Sequence, residues 1–291
     1  MNRRGYRVLC RVLHTLVGWL PNPTRVLLYH GIDHHGGPLS VSPAVFQGQL
    51  AWLAAHRHTV WPASRYVQAL RSHERLPRRL VVITFDDGLA STVQCALPLL
   101  AAHGFPASVF VVTDNIGRSP DWYRRDHAAI AAQLQSIYSH GDWSPDSVAI
   151  ATSNALAEPL ADWPALLAGR QQGLEVLSHS ATHPFLDRLD DAQIRDELTR
   201  SRAALLAAGC DEPPILAWPY GASDARVERA AAAAGAVAAF GSEPGPSTSL
   251  LRIGRTPVDP RLGVFGIAFA LGRGSTVWQW LQRLRRGRGR R

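Results

Sequence analysis

Lysine is absent from this chain of 291 residues: all 31 basic residues are arginine. That excludes Schiff-base catalysis on lysine and phosphate binding by a P-loop lysine. Cysteine is scarce as well. Cys10, Cys95 and Cys210 are far apart, odd in number and without C-x-x-C spacing, so neither a disulfide framework nor a thiolate metal site is available, and buried reduced thiols fit best. Nowhere do about 18 apolar residues run together, which removes a membrane-spanning helix. The stretch "YRVLCRVLHTLVGWL" (6–20) has the length of a secretory leader. Arg11 and His14 interrupt it, however, and no small-residue cleavage site follows. The expected location is therefore the cytoplasm or the cytoplasmic face of the membrane.

A formal charge of +8 suggests a polyanion partner until it is located. Arg3, Arg4, Arg7 and Arg11 stand at the start, and Arg283, Arg285, Arg286, Arg288, Arg290 and Arg291 at the end. Without those ten, 21 basic residues face 23 acids, so the body of the protein is close to neutral. With no recognisable reading motif either, nucleic acid is not the expected partner. The arginine-rich termini suit peripheral contact with an anionic membrane. On a helix, Arg7, Arg11, His14, Thr15 and Gly18 share one narrow face while Leu, Val and Trp cover the rest. Such a helix lies on a membrane surface or packs on the domain, and the sequence leaves both open.

With 46% hydrophobic residues the chain can bury one large core. "RVLLYH" (25–30), "LVVITF" (80–85), "ASVFVV" (107–112), "GLEVLSH" (173–179), "PILAW" (214–218) and "GAVAAF" (235–240) read as strands. Helices are expected from Pro43, capped by Ser42, to about His56, within 90–103, over 191–207 and over 223–234. The alternation argues for an α/β domain with a parallel sheet, as a barrel or doubly wound. Residues 114 to 172 break the rhythm, with one helix expected over 122–138, and read as an insertion. The resulting division is an amphipathic segment 1–23, a domain 24–272 and an amphipathic arginine-rich tail 273–291.

Three strand ends carry unusual residues: "TFDDG" with Asp86 and Asp87, "SHSATHP" with His179 and His183, and "WPYG" with Pro219 and Tyr220. Two neutral imidazoles and one carboxylate make the open three-ligand set of a catalytic divalent site. A cation on one aspartate would leave the other to accept a proton from water. Singly, each piece has a plainer reading: a turn or N-cap, a solvated helix face, a tight turn.

Together these segments resemble the polysaccharide deacetylases, or NodB-homology carbohydrate esterases. "TFDDG" and "HSATH" are similar to that family's first two motifs, and "WPYG" to its third. "RVLLYHGI" and "LLRIGRTPVD" are similar to segments of its longer members. The resemblance covers roughly residues 25 to 262. It implies an α/β fold, a distorted (β/α) barrel of the NodB-homology type with a helical insertion and amphipathic basic termini. It also implies metal-dependent hydrolysis of N-acetyl groups on an acetamido-sugar glycan of the cell envelope or an exopolysaccharide. By motif, Asp86 would be the general base, Asp87, His179 and His183 the metal ligands, and the backbone at Tyr220, with Pro219, part of the oxyanion site. Zn²⁺ is the default ion, with Co²⁺ or Ni²⁺ as alternatives.

Two departures stand out. No histidine follows His183, so the late histidine that many members use as general acid is missing. His30 is the expected donor, against the plainer reading that it ends a core strand; His34, His35 and His127 are weaker candidates. Ala217 occupies the place of the third motif's usual arginine, leaving Arg252, Arg255 or Arg124 as the cation beside Asp86. An O-acetyl esterase and a catalytically silent glycan-binding protein are the alternative functions.

Overall fold

The computed structural model describes residues 3–17, 25–36, 39–126, 158–243 and 249–272, with the single positions 128, 130, 153 and 247. The strands are β1 (Val26–Tyr29), β2 (Gly31–Ile32), β3 (Ser40–Val41), β4 (Thr59–Trp61), β5 (Leu80–Phe85), β6 (Ala107–Val111), β7 (Leu174–Ser178), β8 (Ile215–Ala217), β9 (Ala238–Phe240) and β10 (Thr256–Pro257). The α-helices are α1 (Arg3–Val17), α2 (Pro43–Ala55), α3 (Ala63–Arg71), α4 (Leu97–Ala102), α5 (Trp122–Arg125), α6 (Trp163–Arg170), α7 (Asp191–Ala207), α8 (Ala225–Ala233) and α9 (Phe265–Leu271).

Eight strands form one parallel sheet in the order β10-β1-β5-β6-β7-β8-β9, with β4 also on β5. β4 pairs with Leu80–Val82 and β6 with Thr84–Phe85 along the same edge of β5, while β1 takes the other edge. Every residue of β5, β6 and β7 is buried, as continuous apolar runs in a parallel sheet require. Alternate side chains separate two layers. Leu27, Val81, Ile83, Phe85 and Val109 pack with Phe46 and Leu50 of α2, whereas Val26, Val82, Phe110, Ala217 and Phe240 pack with Tyr66 and Val67 of α3. The Phe110 and Phe240 rings lie 5.5 Å apart although their strands are not neighbours, so that second layer fills the inside of a curled sheet.

One short segment closes the curl. Ile253 bridges in parallel to Phe240, and three residues later Thr256 pairs with Leu27. Residues 253–257 thus join β9 to β1, giving the distorted (β/α) barrel.

Local signals explain most element boundaries. Ser42 Oγ accepts the Val45 N–H ahead of Pro43, and Asp190 with Gln193 forms a capping box on α7. Pro98 sits in α4, which a π-type turn over Thr92–Ala96 precedes, so this helix starts late. Within the stretch 114–172 expected as an insertion, α6, capped by Asp162, leads into β7. Of the helix expected over 122–138, α5 spans Trp122–Arg125; residues 127, 129 and 131–138 lie outside the described residues. Of the thiols, Cys10 and Cys210 are buried and Cys95 is only half-buried. α1 packs Leu9, Cys10 and Leu13 on Leu262, Phe265 and Phe269. Among the described residues, no helix is long and apolar enough to cross a membrane.

Candidate active site

The carboxyl ends of β1, β5, β7, β8 and β10 converge on one cleft of about 60 Å³, lined among others by His30, Asp86, Asp87, His179, His183 and Tyr220. That is room for a few water molecules or an acetyl-sized group. Six non-glycine residues among those described have positive φ, and Asp87 (70°), Ser180 (65°), His183 (58°) and Tyr220 (58°) are four of them. Backbone strain is concentrated at this cleft. After Asp87 the chain passes Gly88 at φ 79°, where a Cβ would meet Val111 Cγ1 at 2.9 Å. Only glycine fits beneath the paired aspartates.

The two histidines are not on a helix. Ser180 Oγ accepts the His183 N–H at 3.0 Å, and Glu197 of α7 clamps the loop between them. Glu197 is 7% exposed. Its carboxylate accepts the N–H groups of Ala181 (3.0 Å) and Thr182 (2.9 Å) and the Thr182 hydroxyl (2.7 Å).

Asp87 Oδ1 lies 3.4 Å from His183 Nε2 and 3.6 Å from His179 Nε2. Ligand atoms about 2.0–2.1 Å from a tetrahedral ion stand about 3.3–3.4 Å apart, so the three residues fit a divalent ion. The donor chemistry agrees. His179 Nδ1 meets the Ala217 carbonyl at 2.9 Å, and since a carbonyl only accepts, the proton is on Nδ1 and the Nε2 lone pair faces the Asp87 carboxylate. Two acceptors in opposition call for a cation between them. Burial, acting against the attraction of Asp86 and Asp87, lowers His179 to about 4 and keeps it neutral. His183 Nδ1 is buried with no hydrogen-bond partner among the described residues, while its ring is stacked on Trp122 at 4.8 Å.

Asp86 stands beside this set, with Oδ2 3.8 Å from His179 Nε2. Arg255, 0% exposed, meets its two oxygens at 2.6 Å each. Gly241 O, Thr84 Oγ1 and the face of Phe110 hold the guanidinium in place. Burial alone would raise the Asp86 carboxyl; the Arg255 charge, aided by His179 and the hydrogen bonds from Arg255, outweighs it and holds the carboxyl below its ordinary value. Of the three arginines considered as this cation, Arg252 instead pairs with Glu228, and Arg124 is exposed.

His30 lines the cleft, near enough for its charge to act on both aspartates. His34 and His35 are exposed on the β2–β3 loop, and His127 lies outside the described residues. Pro219 is buried in the turn that sets Tyr220 at the rim, where the Tyr220 hydroxyl donates to Asp126 at 2.8 Å. Sequence reasoning missed Tyr123. Its hydroxyl donates to Asp87 Oδ2 at 2.5 Å, and burial, then the Asp87 charge, raises the phenol and keeps it a donor. "DWYRRD" carries no local pattern that announces this contact; its aromatic pair in a polar stretch is the only signal.

A curled parallel sheet with an Asp-His-His set and a spare carboxylate at its carboxyl end defines a hydrolase of the (β/α)-barrel class. A family profile for polysaccharide deacetylases matches residues 73–239, more than half of the chain. The chain belongs to the polysaccharide deacetylase family, hydrolases acting on carbon–nitrogen bonds other than peptide bonds. It is 22% identical over 252 residues to YxkH of Bacillus subtilis (strain 168), covering 86% of this chain and 75% of that protein. It is 28% identical over 108 residues to the poly-β-1,6-N-acetyl-D-glucosamine N-deacetylase of Staphylococcus epidermidis, covering 37% of this chain and 36% of that enzyme. The fold matches that of the Streptococcus pyogenes deacetylase PplD, solved with acetate, at a TM-score of 0.66 and 17% identity, over 85% of this chain and 97% of that one.

Proposed function

We propose that this chain is a metal-dependent N-deacetylase of an acetamido-sugar polymer in cell-envelope or exopolysaccharide metabolism. The observation that carries the reading is the meeting of Asp86, Asp87, His179 and His183 in one small cleft, with Arg255 seated on Asp86. Asp87, His179 and His183 are the ligands. A divalent cation there, zinc by geometry with cobalt or nickel as alternatives, would polarise the acetamide carbonyl and acidify a water molecule.

Asp86 accepts the proton of the attacking water. Its oxygens keep acceptor capacity after binding Arg255, and the guanidinium keeps it ionised and fixed in orientation. A depressed carboxyl is a weak base, so this role depends on the water being acidified. The amine leaving group requires a proton, and His30 supplies it. The turn at Pro219 and Tyr220 brings backbone to the cleft wall, where its N–H shares the charge developing on the carbonyl oxygen. Leu39, Trp122 and Ile130 give that wall an apolar side suited to the acetyl methyl. The staphylococcal relative, named for an N-deacetylase, supports an amide over an ester substrate.

The test is acetate release by the zinc-loaded protein from matched acetamido and acetoxy oligosaccharides. Release from the acetamido series supports the reading. Release from acetoxy sugars alone would make the chain an O-acetyl esterase, and release from neither would leave a glycan-binding protein.

A further inference from the structure

α1 carries two apolar rows. Leu9, Cys10 and Leu13 are seated on the domain. Val8, Val12 and Leu16 recur every four residues on another side of the helix and are 56%, 48% and 64% exposed. Val264, between the Leu262 and Phe265 that α1 packs against, is 40% exposed. These four are all but one of the large apolar residues exposed among those described. Among the described residues, three of the five exposed large apolar side chains thus stand on one helix, where scattered single residues are the ordinary case.

Charge is gathered there too. The described part of α1 has no acidic residue, and Arg7 and Arg11, each one position before a valine of the outer row, are exposed. Arg7 Nε donates to the Arg261 carbonyl at 2.6 Å, and the Arg11 guanidinium lies 5.9 Å from the Phe265 ring centre. Both guanidinium groups are therefore held beside the row, at the edge where helix meets domain. A single file of three exposed aliphatic side chains falls well short of the roughly 800 Å² per partner that a stable protein interface buries. An aliphatic row edged by arginines with no acid is what an anionic bilayer surface accepts: apolar side chains enter the headgroup boundary and guanidiniums bind lipid phosphates.

We infer that α1, through Val8, Val12, Leu16 and the flanking Arg7 and Arg11, docks this protein on an anionic membrane surface. The chain runs from Pro257 on the cleft wall to Leu262 beneath α1 in five residues, so docking keeps the cleft close to the surface. The inference is independent of the deacetylase reading, because it concerns none of the cleft residues.

The test is cosedimentation of the full chain with phosphatidylcholine vesicles, with and without phosphatidylglycerol, beside a Val8→Ser, Val12→Ser, Leu16→Ser variant. The wild type should bind the anionic vesicles only and release as salt is raised. The variant should partition at least about tenfold less, with unchanged thermal melting and unchanged acetate release from a soluble substrate. Wild-type protein left in the supernatant overturns the inference. So does a variant that binds as well as wild type but is lost on removing residues 283–291, which would assign binding to the tail. A wild-type dimer that the variant abolishes, without vesicle binding, would assign the row to a second copy.

Discussion

Arg255 and Asp86 stand 169 positions apart in the chain and meet in a buried two-pronged contact, each nitrogen 2.6 Å from its oxygen. With alanine at 217, no guanidinium comes from β8. It comes instead from the segment that closes the barrel, so closure and the setting of Asp86 are one event. Arg255→Met keeps similar bulk and removes the charge. Leaving Asp86 buried and unpaired should cost about 3–5 kcal/mol in denaturant unfolding, and acetate release should fall at least about 100-fold. The sign of the pH dependence follows from a depressed carboxyl. The pair's stabilisation is complete above the ordinary aspartate value of about 3.9 and is lost as pH falls through the lower folded value. Unfolding midpoints should therefore drop steeply on acidification in the wild type, and less in the variant. A variant with wild-type activity would detach Arg255 from the mechanism.

Tyr123 holds the Asp87 oxygen that faces away from the histidines. Tyr123→Phe preserves the ring and removes the donor, leaving Oδ2 without that bond. Zinc affinity, measured by competition with a chromogenic chelator, should weaken about 10- to 100-fold, with little change in melting temperature. Unchanged affinity would mean the hydroxyl does not position the carboxylate.

Glu197 acts through the loop that carries His179 and His183. A glutamine there keeps one oxygen for the two backbone N–H groups but turns its N–H₂ towards the Thr182 hydroxyl and the Arg200 guanidinium that the other oxygen accepts from. Glu197→Gln should therefore lose about 1–3 kcal/mol of stability and should weaken zinc binding as well. Loss of stability with full zinc affinity would make Glu197 a purely structural clamp.

The donor role proposed for His30 matters only where the leaving group demands a proton. His30→Gln should lower acetamide hydrolysis about 100-fold or more, while an aryl acetate, whose phenolate leaves unaided, should lose only a few-fold. Equal losses on both substrates would place His30 in binding rather than proton donation.

How much of this could be read from the chain depends on what each residue contacts. β5, β6 and α7 were legible because long apolar runs and a capping box are local signals. β4 and α3 were passed over: the strand is three residues long, and Pro62 separates it from a nine-residue helix. Asp86, Asp87, His179 and His183 were legible as motifs at strand ends. Arg255 remained one of three arginines because barrel closure, a long-range property, selects it. Tyr123 reaches Asp87 across 36 positions, and Glu197 looks like any acid on a charged helix until its loop is placed over it.

The most direct test is anomalous diffraction at the zinc edge from crystals grown with excess zinc. One peak about 2.0–2.2 Å from an Asp87 oxygen, His179 Nε2 and His183 Nε2, with Asp86 beside it and still on Arg255, is the expected result. Zinc bound elsewhere, or none at these three side chains at saturating concentration, would contradict the account.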